Sequence, residues 1–236
     1  MLAMDNVRAM FVVLPDAPLP DRADVEAADG LILVFPQDES DYAAATERAA
    51  AATEVGPPVY LVIPPLDSGL ARGYLQHSLQ PGIYGVAVQT AASVDQLRYL
   101  EGVLEELEIR AGIRPGLTAM AVGFHDPRAI DIMSDCLAAM RDSSDRMTWI
   151  AYDHEEMAQS LGVQRESPTV QQASSHVVMT AAAYNLPVVY GSPPDAAYAA
   201  SLGFRGCATG ELADLEGLRA TFARPEPENG EDEEDS

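Results

Sequence analysis

Short apolar runs recur along the chain at 9–14, 31–35, 59–63, 85–89, 117–123, 147–152, 187–190 and 206–209, each followed by a helix-forming stretch of roughly ten to twenty residues. Most of these runs are apolar throughout rather than alternating, which is how parallel strands covered on both faces read. Eight strand–helix units predict an α/β fold, a TIM (β/α)8 barrel closed on itself as a single domain over 1–224. In such a barrel the chemistry belongs to the loops that follow the strands. Here those loops are short of catalytic residue types.

The helices announce themselves by their ends. The alanine-rich stretch 41–55 stops at Gly56-Pro57-Pro58, a strong breaker. The stretch 93–111 carries Val94, Leu97, Leu100, Leu104 and Leu107 at helical spacing, with Glu101, Glu105, Glu106 and Glu108 expected outside and Gly112 closing it. Asp126-Pro127 and Ser167-Pro168 each place a capping side chain before a proline suited to the first helical position. Asp153 with Glu156 three residues on fits a capping box. No linker or shift in composition divides the chain before Arg224.

Composition narrows the chemistry. Hydrophobic residues make up 47%, enough to build a core. The formal net charge is −23, and all 14 basic residues are arginine. Without lysine the chain excludes Schiff-base aldolases, pyridoxal phosphate enzymes and phosphate-loop lysines. So negative a field also argues against nucleic-acid binding, which needs a basic face. The segment 225–236, with seven acids and no apolar residue, predicts a disordered acidic tail.

Cys136 and Cys207 match no metal or redox spacing, and Cys136 falls on the apolar face of a helix. No signal peptide is legible in the first eight residues, and no run reaches the roughly 18 apolar residues of a membrane span. A soluble, cytoplasmic protein with no membrane partner is the expectation. There is no GxGxxG after a strand, no GxSxG elbow and no HExxH, since His154-Glu155-Glu156-Met157 lacks the second histidine.

From Tyr84 onward the order of segments resembles the citrate lyase β-subunit group of the HpcH/HpaI aldolase superfamily. Gly116-Leu117-Thr118-Ala119, with Gly123-Phe124 and Ile130, resembles the fifth-strand segment. The stretch 149–162, ending Met157-Ala158-Gln159-Ser160-Leu161-Gly162, resembles the sixth-strand loop. The alanine-rich 177–187 and the closing 199–222, with Leu202-Gly203-Phe204-Arg205-Gly206, complete a likeness that spans about 8–222. The resemblance implies a barrel that makes or breaks carbon–carbon bonds beside a coenzyme A thioester carbonyl, usually with Mg²⁺, and that assembles as a homo-oligomer. A divalent ion held by carboxylates would stabilise an enolate there.

Carried over residue by residue, the resemblance implies losses. The glutamate that the family places before Thr-Ala falls on Leu117, and the second metal acid on Glu156. The acidic cluster after strand two falls on Val34-Phe35-Pro36-Gln37, with Asp38 and Glu39 nearby. The strand-three arginine falls within Leu61-Val62-Ile63-Pro64, the lysine after strand four near Thr90, and the closing Ile-His-Pro around Ala208-Thr209-Gly210-Glu211.

Two readings follow. In one, the barrel has lost its Mg²⁺ and catalytic residues and serves as a binding or interaction module, its mouth plugged by Leu117. In the other, it remains a carbon–carbon lyase acting on an acyl-CoA or 2-oxo acid. Its rearranged site would draw on Asp67, His125, Asp153 and Glu156, joined by Asp16 and Asp38, with Glu156 on the metal and His154 a further proton carrier. Plainer roles compete at each position. Glu156 and Asp126 read as helix-capping residues, His154 as an exposed first-turn histidine, and the segment around Asp67 as a turn.

Overall fold

Eight parallel strands pair in chain order, and pairing of the last with the first closes the barrel. They are β1 (Ala9–Val13), β2 (Gly30–Val34), β3 (Val59–Ile63), β4 (Ile83–Val88), β5 (Ala119–Gly123), β6 (Met147–Tyr152), β7 (Val188–Tyr190) and β8 (Gly206–Thr209). The helices are α1 (Tyr42–Thr53), α2 (Ala71–Ser78), α3 (Val94–Arg110), α4 (Pro127–Ser143), α5 (His154–Leu161), α6 (Pro168–Ala183), α7 (Ala196–Ser201) and α8 (Leu215–Thr221). This computed structural model describes residues 7–35, 42–191 and 196–223, and of Asp67 the backbone alone. The expected acidic tail, together with Asp38 and Glu39, lies outside the described residues.

Two apolar layers explain why the strands lack alternation. Side chains such as Leu31, Leu33, Leu61, Ile63, Val86, Val88, Met120 and Val122 belong to the large core shared with the helices. Their neighbours along the strands, Met10, Ile32, Tyr60, Ala87, Ala121, Trp149, Val189 and Ala208, form a second cluster inside the barrel. Both faces are covered, as expected of a parallel sheet. Tyr60 meets Trp149 and Tyr84 with ring centroids 5.4 Å apart in each case, filling the interior toward the N-terminal ends of the strands. Toward the C-terminal ends the interior carries Val12, Val34, Val62 and Ala151, all half-buried, a shallow apolar well whose crevice beside Val34 and Val62 holds only about 10 Å³.

The capping signals form as the sequence implies. Ser93, Asp126, Asp153 and Ser167 each accept backbone N–H bonds at the start of a helix. Three expectations change. No α-helix follows β1, only one 3-10 turn at Arg22–Val25. The fifth strand begins at Ala119, so Leu117 precedes it. Glu108, expected on the outer face of α3, is fully buried.

Candidate functional site

Reading inward positions strand by strand places the last inward residue of β5 at His125 and that of β6 at Asp153. Each follows its strand at every second residue, after Ala121 and Gly123 in one case and Trp149 and Ala151 in the other. These two side chains stand side by side at the C-terminal mouth. His125 is buried, and the carboxylates of Glu156, Asp153 and Asp126 all lie close enough to act on its charge. Burial lowers its pKa below the ordinary imidazole value, while those carboxylates and a hydrogen bond to the Gln89 carbonyl pull the other way. The neutral ring keeps a buried Nδ1 with no hydrogen-bond partner among the described residues.

Asp153 is held on two sides. Its Oδ1 accepts the backbone N–H of Glu155 at 2.7 Å and of Glu156 at 3.2 Å, which starts α5. Its Oδ2 packs against Gly191, where an added Cβ would come within 2.5 Å. A side chain at Gly123 would meet the Gln89 carbonyl at 1.8 Å and His125 Nε2 at 2.2 Å. Two glycines therefore make the room in which the imidazole and the carboxylate sit.

His154 does not lie where the sequence suggests. It is 3% exposed and points out of the barrel into the layer under the helices. Its ring meets Tyr152 and Tyr190 edge-on at 5.4 and 4.8 Å, with Phe204 at 6.3 Å. The odd-numbered residues 153 and 151 face the mouth, so their neighbour 154 must face away. Tyr190 Oη accepts from Arg165 Nη2 at 2.6 Å and lies 2.9 Å from His154 Nδ1. Which of Tyr190 Oη and His154 Nδ1 donates depends on the imidazole tautomer, and His154 Nε2 is buried without a hydrogen-bond partner among the described residues. Burial, with the Arg165 charge second, pushes the His154 pKa down to about 4.

The remaining candidates separate. Glu156 is exposed on the first turn of α5, within electrostatic reach of His125. Asp126 caps α4 through Arg128 N and Ala129 N at 2.8 and 3.0 Å. Asp16 is exposed on the loop after β1, and the backbone of Asp67 lies in the 3-10 turn Leu66–Ser68 after β3. His77 stacks on Tyr42 at 4.6 Å on the outer surface, and His176 is exposed on α6. Cys136 and Cys207 are buried free thiols whose pKa burial raises to about 11 and about 12, which makes them inert packing.

Leu117 requires a correction. It is 60% exposed and sits below β5, at the N-terminal end of the barrel. It does not plug the mouth, and its identity says nothing about the chemistry there. The β5 position that faces the mouth is His125. Of the other substituted positions, Ile63 is buried in the outer core and Val34 lines the well. Pro36 and Gln37 lie outside the described residues.

Solved structures place this architecture. No family model matches the sequence, and no curated protein matches it either. RipC from Yersinia pestis superimposes with a TM-score of 0.70 at 15% identity, over 95% of this chain and 98% of its own. A citrate lyase from Burkholderia xenovorans LB400 gives 0.76 at 13%, over 93% and 78%. The citrate lyase β subunit of M. tuberculosis, solved with oxaloacetate and magnesium, gives 0.61 at 15%, over 94% and 99%. This chain shares the barrel fold of these citrate lyase proteins. At these identities the likeness fixes the barrel and where its mouth lies, not the reaction.

The Mg²⁺ that such a relative carries finds few ligands here. Among the described residues no three His, Cys, Asp or Glu side chains gather into a metal-holding group. Asp153 Oδ1 is already engaged by two backbone N–H groups, and its neighbour is an imidazole, a donor better suited to transition metals than to Mg²⁺. The described residues do not fit a Mg²⁺ site. Among them, no helix is long and apolar enough to cross a membrane.

Proposed function

We propose that this protein is a citrate lyase β-like barrel without Mg²⁺-dependent carbon–carbon lyase activity, and that its mouth is a binding site formed by the His125–Asp153 edge over an apolar well. The observation that supports this best is the double engagement of Asp153. Its Oδ1 holds the start of α5, and its Oδ2 is packed against Gly191. A carboxylate tied in this way, beside a neutral imidazole, recognises a ligand by hydrogen bonding but offers poor purchase to a hydrated Mg²⁺. The half-buried Val12, Val34 and Val62 beside the pair give the apolar part of such a ligand a surface to rest on rather than a cavity to fill.

A second reading keeps catalysis. His125 collects Glu156, Asp153 and Asp126 around it, and a neutral imidazole beside a carboxylate is the usual apparatus for moving a proton next to a carbonyl. In that reading the protein is a carbon–carbon lyase or aldolase on an acyl-CoA or 2-oxo acid, and His125 is the base. Its soluble, cytoplasmic setting and homo-oligomeric assembly belong to either reading as proposals.

Thermal unfolding against acyl-CoA thioesters and oxaloacetate, each with and without Mg²⁺, separates the two. A ligand at a hundred times its Kd stabilises by about 2.7 kcal/mol, which shifts Tm by roughly 5–10 °C for a chain of this size. The proposal expects any shift to be independent of Mg²⁺ and lost in His125→Ala. A shift that requires metal and ligand together overturns it in favour of the lyase.

A further inference from the structure

A cavity of about 550 Å³ opens at the end of the barrel opposite the mouth. Its size falls in the range of small-molecule sites. Ile83 and Tyr84 enter it from β4, Ile113 and Leu117 from the loop before β5, and Thr148 from β6. Tyr84 on its wall packs against Tyr60, which in turn meets Trp149. Leu117 is one of the large apolar side chains most exposed to solvent, and Ile83, Tyr84 and Ile113 share the cavity lining with it. Gly112 and Gly116, at φ 71° and 89°, line the entrance with bare backbone, and no atom lies within 4 Å of where a Cβ would stand. The entrance therefore stays clear.

The charges at this cavity are selective. Arg146 is bound by both oxygens of Glu108 and carries no free charge outward. Arg114 and Asp145 also line the cavity, both exposed, and neither forms an ion pair with the other or with any described residue. One unpaired cation and one unpaired anion thus share the rim of a mainly apolar pocket that Thr118 and Thr148 also line. An acid alone would leave Asp145 unanswered, and an amine alone would leave Arg114 unanswered.

We propose that this cavity binds a free amino acid with a large apolar side chain. Arg114 receives the α-carboxylate, Asp145 the α-ammonium group, and Leu117, Ile113 and Tyr84 the side chain. The site is separate from the His125–Asp153 mouth and does not depend on what the mouth does.

Calorimetric titration of the full chain tests this with L-phenylalanine and L-leucine against three deletions of one feature each: phenylacetate, phenethylamine and glycine. The amino acids bind, and each deletion weakens binding at least about tenfold, the loss expected for one charge-assisted contact. Arg114→Gln and Asp145→Asn, both on exposed side chains and checked for fold by circular dichroism, weaken phenylalanine to the same degree. Asp153→Asn at the far end leaves it unchanged. Absence of binding by both amino acids overturns the proposal, as does binding that survives both rim variants or that only Asp153→Asn removes.

Discussion

Asp153 does more than one kind of work: its Oδ1 caps α5, its Oδ2 packs against Gly191, and its charge reaches His125. Cap and charge separate by substitution. Asp153→Ala removes the cap and destabilises the chain by about 1 kcal/mol in urea unfolding, whereas Asp153→Asn retains a capping oxygen and changes stability by only a few tenths. A loss of equal size in both variants shows that the charge, not the cap, holds this turn. The capping role was legible, because an acid before a helix start is a local signal. What Asp153 faces was not. Its neighbours His125 and Gly191 come from adjacent strands, 28 and 38 residues away by the numbering. The same holds for His154, whose burial depends on Tyr190 and Phe204 arriving over it.

At the scale of elements, the entry to β5 and β6 is fastened by one buried ion pair. Glu108 at the end of α3 takes Arg146 at 2.7 and 2.8 Å, and it also accepts the backbone N–H of Thr118 at 2.7 Å and of Gly116 at 2.8 Å. Burial tends to raise its pKa, but the guanidinium and the N–H donors outweigh this and hold it at about 2. Arg146→Met leaves a buried, uncompensated carboxylate and destabilises by about 3–5 kcal/mol, measured by urea unfolding. The double variant Glu108→Leu with Arg146→Met recovers much of that loss, since no charge is then left unpaired. If the double variant is as unstable as the single one, packing rather than charge explains the pair. In sequence Glu108 sits four residues after Leu104 and so shares its face of α3. The neighbouring acids at 101, 105 and 106 made it read as one more exposed charge. Only Arg146, at the start of β6, distinguishes it.

Across the whole molecule, acid sensitivity falls into two windows. His154 titrates at about 4 when folded against 6.5 as a free side chain, so the unfolded chain binds a proton in this range that the folded chain refuses. The stability this confers is complete above pH 6.5 and is lost as pH falls toward 4. His125, lowered by burial, acts in the same direction. Glu108 contributes stability present above 4.5 and lost as pH falls toward about 2. Urea midpoints followed from pH 8 to pH 4 fall on acidification, and His154→Phe, set among aromatic rings, makes that slope shallower. An unchanged slope in the variant removes His154 as its source.

The sequence by itself determined the barrel, the order of its strands, and the capped starts of α3, α4, α5 and α6. These follow from local rules, in which continuous apolar runs demand two covered faces and capping side chains meet N–H groups two or three residues away. Tertiary structure alone decided which end of the barrel each conspicuous residue belongs to. Leu117 was read as part of the mouth and lies at the opposite end, and His125 stands where the β5 contribution to the mouth falls. The reason is geometric: a strand advances about 3.3 Å per residue, so the eight positions from Leu117 to His125 run from one end of the barrel to the other. Burial of His154 and Glu108, and the cavity beneath Tyr84, depend on contacts between distant segments that no local pattern encodes.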